Sequence, residues 1–367
     1  MNDTQTIKKS PPILTNPLAA DLDYVLLQTA PLWEQLRDQK IFITGGTGFF
    51  GCWLLESFVW INAKLNLNAK AVVLTRDPSA FANKCPHLFA QPDLHFHQGD
   101  ARNFIFPEGE FSHVIHAATE ASVTLNENNP LLMLDTIIQG TKQALEFARH
   151  CGAKRFLLVS SGAVYGKQPA TLSHLSENYP CQPNIVDANS AYAIGKCTAE
   201  HMACLYTKQY GLDVKIARCF AFVGPYLPLD IHFAIGNFIR DALKNNTITV
   251  QGDGTACRSY LYAADLVIWL WHILIHGQTG RPYNVGSDET VTIAELAHLV
   301  SHNFPDKPPV KILQAPAGLP PHRYVPDVTR AQNEFGLTQK VSLIQAIQAT
   351  RQWYSNQSSD SIIRDTI

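Results

Sequence analysis

Two short stretches of the chain carry residue types able to move a proton to or from an alcohol oxygen. Ser160-Ser161 closes the apolar run Phe156–Val159, and about 30 residues on, Tyr192-Ala-Ile-Gly-Lys196 sets a phenol and an ammonium four positions apart. On a helix, positions i and i+4 share a face, so the Lys196 ammonium can stand near the Tyr192 phenol. A neighbouring cation favours phenolate and lowers a tyrosine from its usual value of ~10. Such a tyrosine can exchange a proton with an alcohol or ketone while hydride passes to or from a carrier. Ser161 would hydrogen-bond the same oxygen. Tyr-x-x-x-Lys also arises by chance on exposed helix faces, so its weight rests on what accompanies it.

What accompanies it is a site for an anionic carrier. The segment KIFITGGTGFFGCWLLESF reads as strand, glycine-rich turn and helix, with Gly45, Gly48 and Gly51 three apart. Gly45 permits the tight turn, Gly48 lets the backbone approach a pyrophosphate, and Gly51 allows close helix–strand contact. With Thr47, Phe49 and Phe50 between them, they open a helix whose first N–H groups and dipole favour the anion. The next strand ends Val73-Leu74-Thr75-Arg76-Asp77. A site for an unphosphorylated ribose usually places an acid at such a strand end. Here Thr75 stands there and Arg76 follows, a pair suited to a 2′-phosphate. NADP(H) is therefore favoured over NAD(H), which stays open if Asp77 reaches the ribose after a one-residue shift.

These residues need a scaffold that brings strand ends together. Short apolar runs recur at Ile41–Ile43, Ala71–Leu74, Leu94–His97, His113–His116, Phe156–Val159 and Val214–Ala217. Helical stretches such as Trp53–Ile61, Leu131–His150 and Ala191–Tyr210 lie between them. Strands alternating with helices predict an α/β fold with a doubly wound parallel sheet. The rhythm breaks after Gly224-Pro225. The expected division is an N-terminal extension (1–37) holding a helix over Asp21–Arg37, and a dinucleotide-binding domain (38–224, rejoined by 261–286). A second, smaller, discontinuous α/β substrate lobe (225–260 and 287–355) and a frayed tail (356–367) complete it. Trp269, Trp271 and Tyr262 read as core rather than as a nucleobase platform.

Composition narrows the partners. Lys plus Arg number 29 and Asp plus Glu 31, for a net charge of −2, which gives no reason to expect a nucleic acid. No apolar run is long enough to cross a membrane and no apolar leader opens the chain, so a cytoplasmic protein is expected. The 8 cysteines include no C-x-x-C pair and the 14 histidines no metal spacing. Free thiols and no metal are expected.

Together these motifs resemble the extended short-chain dehydrogenase/reductase family, in its nucleotide-sugar epimerase/dehydratase/reductase group, from about Lys40 to Trp353. Thr44-Gly-Gly-Thr-Gly-Phe-Phe-Gly51 resembles the family's cofactor loop. Gly99-Asp100-Ala101 resembles the segment meeting the adenine, and His116-Ala117-Ala118, with Thr119, the strand end flanking the cofactor. Ser161, Tyr192 and Lys196 fall on the family's catalytic Ser/Thr, Tyr and Lys. Arg218-Cys-Phe220 through Val223 and Gly224-Pro225 resembles the segment over the nicotinamide. Gly252-Asp-Gly254 through Arg258, Tyr262 and Asp265 resembles the nucleotide-lobe signature, and Tyr283-Asn-Val-Gly286 with Arg323 to Asp327 completes the pattern. The resemblance implies a Rossmann fold and a nucleotide-diphosphate sugar, whose diphosphate Arg258 and Arg323 would clamp while Ser161 and Ala163 meet the sugar. It also implies a homodimer through the helices Leu131–His150 and Ala191–Tyr210.

The departures bear on the reaction. Sugar 4,6-dehydratases of the family carry an acidic pair after the catalytic Ser/Thr; here Gly162 and Ala163 cannot transfer protons. The fucose-synthase-like epimerase–reductases place a cysteine at the position of Ala163. His232 or Cys219 could supply a proton instead, each set against a plain structural role. Ala221 and Ile137 stand where the family carries asparagines, which touches the substrate contacts. Hydride transfer with a single tyrosine remains. The first expectation is an NADPH-dependent reductase of a nucleotide-linked 4-keto-6-deoxy sugar. The alternative is a C4 epimerase holding NAD, and the third a non-catalytic dinucleotide-sensing module.

Overall fold

The structure, a computed structural model, describes residues 16–119, 123–231 and 233–364. Its centre is one sheet of seven strands: β1 (Lys40–Thr44), β2 (Lys70–Thr75), β3 (Leu94–Gln98), β4 (His113–His116), β5 (Arg155–Ser161), β6 (Val214–Cys219) and β7 (Pro282–Val285). All are parallel, in the order β7-β6-β5-β4-β1-β2-β3. Each of the six apolar runs read from the sequence lies in one of these strands. β1, β2, β4, β5 and β6 are buried almost throughout, as strands covered on both faces must be. The winding reverses between β1 and β4, which opens a crevice beyond their carboxyl ends.

The crossover helices set what lines that crevice. α2 (Phe49–Leu65) follows β1, α3 (Pro130–His150) precedes β5, and α4 (Ala191–Tyr210) precedes β6. α3 and α4 pack closely because Gly195 leaves room for Ile137, whose Cδ1 would lie 2.9 Å from any Cβ there. α5 (Ala263–His276) is buried almost all round and holds Trp269 and Trp271 in the core, where Tyr262 also lies.

The helix expected over Asp21–Arg37 forms in two pieces. An α-helix, α1, spans Ala19–Thr29 and a 3₁₀ segment Ala30–Leu36 follows, with Pro31 at the break unable to donate a backbone hydrogen bond. The first piece lies against α2 and α5. Tyr24 donates its hydroxyl to Asp265 at 2.7 Å, and Tyr262 donates to Asp21 at 2.7 Å.

Beyond Gly224 the elements are short. Helices Ala234–Leu243 and Ile293–His302 pack on a two-stranded piece, Ile248–Val250 with Val310–Ile312. A three-stranded piece joins Val291–Thr292, Cys257–Arg258 and Arg323–Tyr324. The tail differs from expectation: the helix beginning at Leu343 runs to Arg364 rather than fraying from 356. No glycine or proline interrupts those residues, so the helical ladder continues.

Candidate active site

The crevice forms a cleft of ≈ 1320 Å³ between the sheet's carboxyl edge and the short elements beyond Gly224. Gly45, Thr47, Gly48, Phe49 and Phe50 line one end, with Thr75, Arg76, Asp100, Ala101, Ala117, Ala118 and Thr119. The turn there accepts little but glycine. Gly45 has φ of +73°, and a Cβ on it would meet the Ala117 carbonyl at 2.5 Å. Gly51 does not line the cleft; a Cβ on it would lie 2.3 Å from the Gly45 oxygen, so its role is close packing beneath the turn. At Gly48, the N-cap of α2, no side chain caps the helix, and the first N–H groups are left for an anion. A pyrophosphate therefore fits this end.

The neighbouring strand end has one acid already engaged. Asp77 is the N-cap of the helix Pro78–Lys84, where its carboxyl accepts from Ala80 N at 2.9 Å. Thr75 is buried at the end of β2 with its hydroxyl accepting from Asp77 N at 3.3 Å, and the exposed Arg76 follows on the cleft wall. Asp100 is held by Arg102 through two side-chain bonds of 2.9 Å, which keep its carboxyl below the usual range.

Mid-cleft, the fold gathers the proton-bearing residues. Ser161 is the last residue of β5 and caps the turn Gly162–Tyr165, accepting from Ala163 N at 3.2 Å. Tyr192 sits in the first turn of α4, its backbone N–H held by Asn126 Oδ1 at 3.0 Å. Lys196 is buried, and its Nζ donates to Thr119 Oγ1 at 2.7 Å and to the Val159 carbonyl at 2.8 Å. That nitrogen is 5.9 Å from the centre of the Tyr192 ring. Burial lowers Lys196 to about 8 and raises Tyr192 to about 12, the latter partly offset by Ser161. Burial and the nearby Lys196 hold His116 down at about 3, a neutral ring bonded to Thr44 Oγ1 at 2.8 Å.

Behind this group lies a buried ion pair. Glu200 of α4 accepts from Arg218 Nη2 at 2.7 Å and from Ser160 Oγ at 2.5 Å. Arg218 also donates to the Tyr165 hydroxyl at 3.0 Å, which in turn donates to Asn284 Oδ1 at 2.7 Å. The network ties β5, β6, β7 and α4 together beneath Ser161.

Not every residue read from the sequence reaches the cleft. Phe220, Ala163, Cys219 and Arg258 do. Val223 is fully buried in the core instead. Arg323 does not line the cleft; its neighbour Tyr324 does. The cause is the two-residue period of a strand. Tyr324 registers with Arg258 and Arg323 with Cys257, so Arg323 faces away from Arg258. The expected arginine clamp is thus one arginine, and Arg240, which sequence reasoning passed over, also lines the cleft. His232 lies outside the described residues. Burial raises the Cys219 thiol to about 12, which keeps it protonated.

Tyr324 is the residue sequence reasoning missed. Burial raises its hydroxyl well above the usual phenol range, as it raises that of Tyr192, and Ser161 partly offsets the rise in both. It also fills the space beside Gly162: a Cβ there would be 2.7 Å from Tyr324 Oη and 2.7 Å from Phe220 Cζ. Among the described residues, the carboxylates lining the cleft are Asp100, Asp241 and Asp253. Each is engaged, with Arg102, Arg240 and Thr255 respectively, and none belongs to the turn after Ser161. The centre therefore offers three hydroxyls and one ammonium, equipment for moving one proton beside a hydride transfer.

Known proteins place this arrangement. Residues 41–286 match the model of the NAD dependent epimerase/dehydratase family. UDP-glucuronic acid decarboxylase 6 of Arabidopsis thaliana is 32% identical over 324 residues, 85% of this chain and 90% of that protein. UDP-glucuronic acid decarboxylase 1 of Danio rerio is 29% identical over 323 residues, 88% and 74% of the two chains. Among solved structures, DesIV, a dTDP-glucose 4,6-dehydratase of Streptomyces venezuelae with NAD bound, superposes with a TM-score of 0.73. It is 27% identical, over 87% of this chain and 98% of that one. UDP-glucose 4-epimerase of Thermotoga maritima shares the fold, with a TM-score of 0.72 at 21% identity, over 87% and 99% of the chains. On sequence and fold alike, the chain belongs to the NAD-dependent epimerase/dehydratase family.

Proposed function

We propose that the protein is an NADP(H)-dependent oxidoreductase that reduces C4 of a nucleotide-linked 4-keto-6-deoxy sugar. The observation carrying this reading is that Ser161, Tyr192, Tyr324 and the buried Lys196 line one cleft, with no carboxylate in the turn after Ser161. The nicotinamide would supply the hydride. Tyr192 donates its proton to the oxygen of the reacting carbonyl, and Ser161 orients that oxygen. Burial keeps Tyr192 protonated through the neutral range, the state a ketone reduction requires of it. Lys196, an ammonium below about 8, stabilises the phenolate left behind. Elimination of water across C5–C6 needs a second acid and base, and Gly162 and Ala163 offer none.

The preference for the phosphorylated dinucleotide rests on Asp77, whose carboxyl serves the helix Pro78–Lys84 while Thr75 and Arg76 occupy the strand end. At the other end Arg258 and Arg240 would meet the substrate diphosphate. A homodimer through α3 and α4 agrees with the exposure of Leu131 and Leu205 on them.

A second reading is favoured by the relatives, which are UDP-glucuronic acid decarboxylases, and by the UDP-glucose 4-epimerase likeness. There C4 would be oxidised and reduced again on one retained NAD. The two are separated by releasing and identifying the dinucleotide of the purified protein, then assaying 4-ketosugar nucleotides with NADPH against UDP-glucuronic acid and UDP-glucose without added reductant. Stoichiometric NAD with turnover of the latter substrates would replace the reductase reading. Tyr192→Phe is expected to lose about 10²–10⁴-fold in turnover, the usual worth of a positioned proton donor. Undiminished turnover would end both readings.

A further inference from the structure

The turn where the chain leaves the main sheet carries a residue that its backbone disfavours. Leu227 N donates to the Gly224 carbonyl at 3.2 Å, with Pro225 second in the turn and Tyr226 third, at φ of +70°. These are the marks of a type II turn, whose third position normally takes glycine because a Cβ is strained there. Tyr226 is the one aromatic residue with positive φ among the described residues. A bulky side chain persists in that conformation only where its surroundings over-determine it, and such residues gather at functional sites.

Tyr226 is held in this way. Its hydroxyl donates to Glu56 Oε1 at 2.5 Å, and its ring lies 4.7 Å from that of Trp353 between centroids. Trp53 Nε1 donates to the Pro225 carbonyl at 2.9 Å, and the Tyr354 hydroxyl donates to the Leu227 carbonyl at 2.5 Å. Glu56 is buried on α2, where two more donors fix its carboxylate: Asn16 Nδ2 at 2.8 Å and His87 Nε2 at 2.7 Å. One carboxylate thus joins the N-terminal extension, the segment after β2 and the turn. None of these side chains lines the cleft, but the next two residues, Leu227 and Pro228, do. The Pro228 carbonyl oxygen would lie 3.0 Å from a Cβ at Gly236, so a shift of the turn reaches the helix Ala234–Leu243, whose Asn237 and Arg240 also line the cleft.

Resting on the reading that this end of the cleft takes the nucleotide of the substrate, we propose that Glu56 is a positioning residue for it. Its carboxylate latches Tyr226 in the left-handed turn and so sets where Leu227 and Pro228 stand on the cleft wall. With the phenol released, the strained residue relaxes toward negative φ, the wall withdraws, and a nucleoside diphosphate loses its contact with it. The dinucleotide end does not follow, because Gly45 is packed on Ala117 and Gly51 on Gly45 and Gly46, independently of the latch.

Tyr226→Phe keeps the ring and removes only the bond to Glu56, which retains Asn16 and His87 as donors. The full chain is titrated with UDP, dTDP, GDP and CDP. The nucleotide that the wild-type protein binds should bind Tyr226→Phe about tenfold more weakly, the worth of a hydrogen bond to a charged group. NADPH and NADH affinities should stay within about twofold, as expected of a site that does not share the latch. Hydrogen exchange read by mass spectrometry should quicken about tenfold at the Tyr226 and Leu227 amides and not at Gly45 to Gly48. Glu56→Ala should match Tyr226→Phe, while Glu56→Gln, which keeps an acceptor for the phenol, should hold the wild-type nucleotide affinity; Tyr226→Phe decides by itself if Glu56→Ala does not fold. Unchanged exchange at Tyr226 and Leu227, or equal weakening of nucleotide and NADPH, would overturn the assignment. Wild-type protein that bound none of the four nucleotides would overturn the reading of the substrate end, and the exchange rates would still decide the latch.

Discussion

The Gly162→Ala substitution tests whether the site depends on the hydroxyl that fills the space beside this glycine. A Cβ there would stand 2.7 Å from Phe220 Cζ, 2.8 Å from Phe220 Cε1 and 2.7 Å from Tyr324 Oη. Carbon atoms in contact prefer about 3.5–4.0 Å, so the methyl overlaps the Phe220 ring by about 1 Å. The ring has little freedom to withdraw, tilted against Tyr324 at 4.7 Å and Tyr165 at 6.1 Å between centroids. Overpacking of this kind costs about 1–3 kcal/mol. The phenol of Tyr324 must also shift, and a misplacement of about 1 Å near the reacting atoms lowers turnover by roughly 10²-fold. Dinucleotide affinity should change less than turnover, because the glycine turn from Gly45 to Gly48 is not touched by the substitution. Melting by scanning fluorimetry, NADPH binding by fluorescence and turnover on the best 4-ketosugar nucleotide separate the three effects. A second substitution, Phe220→Leu, removes the obstructing ring and should restore part of the lost stability, so the pair couples rather than adds. Wild-type melting and turnover in Gly162→Ala alone would refute the reasoning.

Two further outcomes follow from buried charges. Arg218→Ala leaves Glu200 buried without its cation and should destabilise by about 3–5 kcal/mol in denaturant titration; a loss below about 1 kcal/mol would show that the pair is not desolvated as the structure has it. His87 bonds Glu56 at 2.7 Å, which raises the imidazole above its ordinary value. A group whose folded value is raised stabilises fully below its unfolded value and ceases to do so as pH climbs through the folded one. The deficit of His87→Gln in thermal melts should therefore be largest below about pH 6.5 and shrink on going alkaline. A deficit growing with pH would contradict the bond.

How much of this was legible follows from length and period. Strands buried on both faces read as unbroken apolar runs, and the crossovers between them leave room for helices of readable periodicity, so the sheet and its glycine turn could be named from residues. The role of Asp77 was legible too, in Asp77-Pro78, an N-cap followed by the proline that a first helical turn accepts. The small sheet beyond Gly224 gave no such purchase. Cys257–Arg258 and Arg323–Tyr324 are two residues each, too short to carry an alternation, and their pairing joins segments far apart in the chain. Which of Arg323 and Tyr324 faces the cleft is decided by register alone. That choice matters chemically, because it exchanges a second guanidinium in the cleft for a second phenol beside Gly162. The proton-handling character of the site is thus fixed by a strand that no sequence window contains, and residue type at 162 follows from it: with Tyr324 turned inward, only glycine fits.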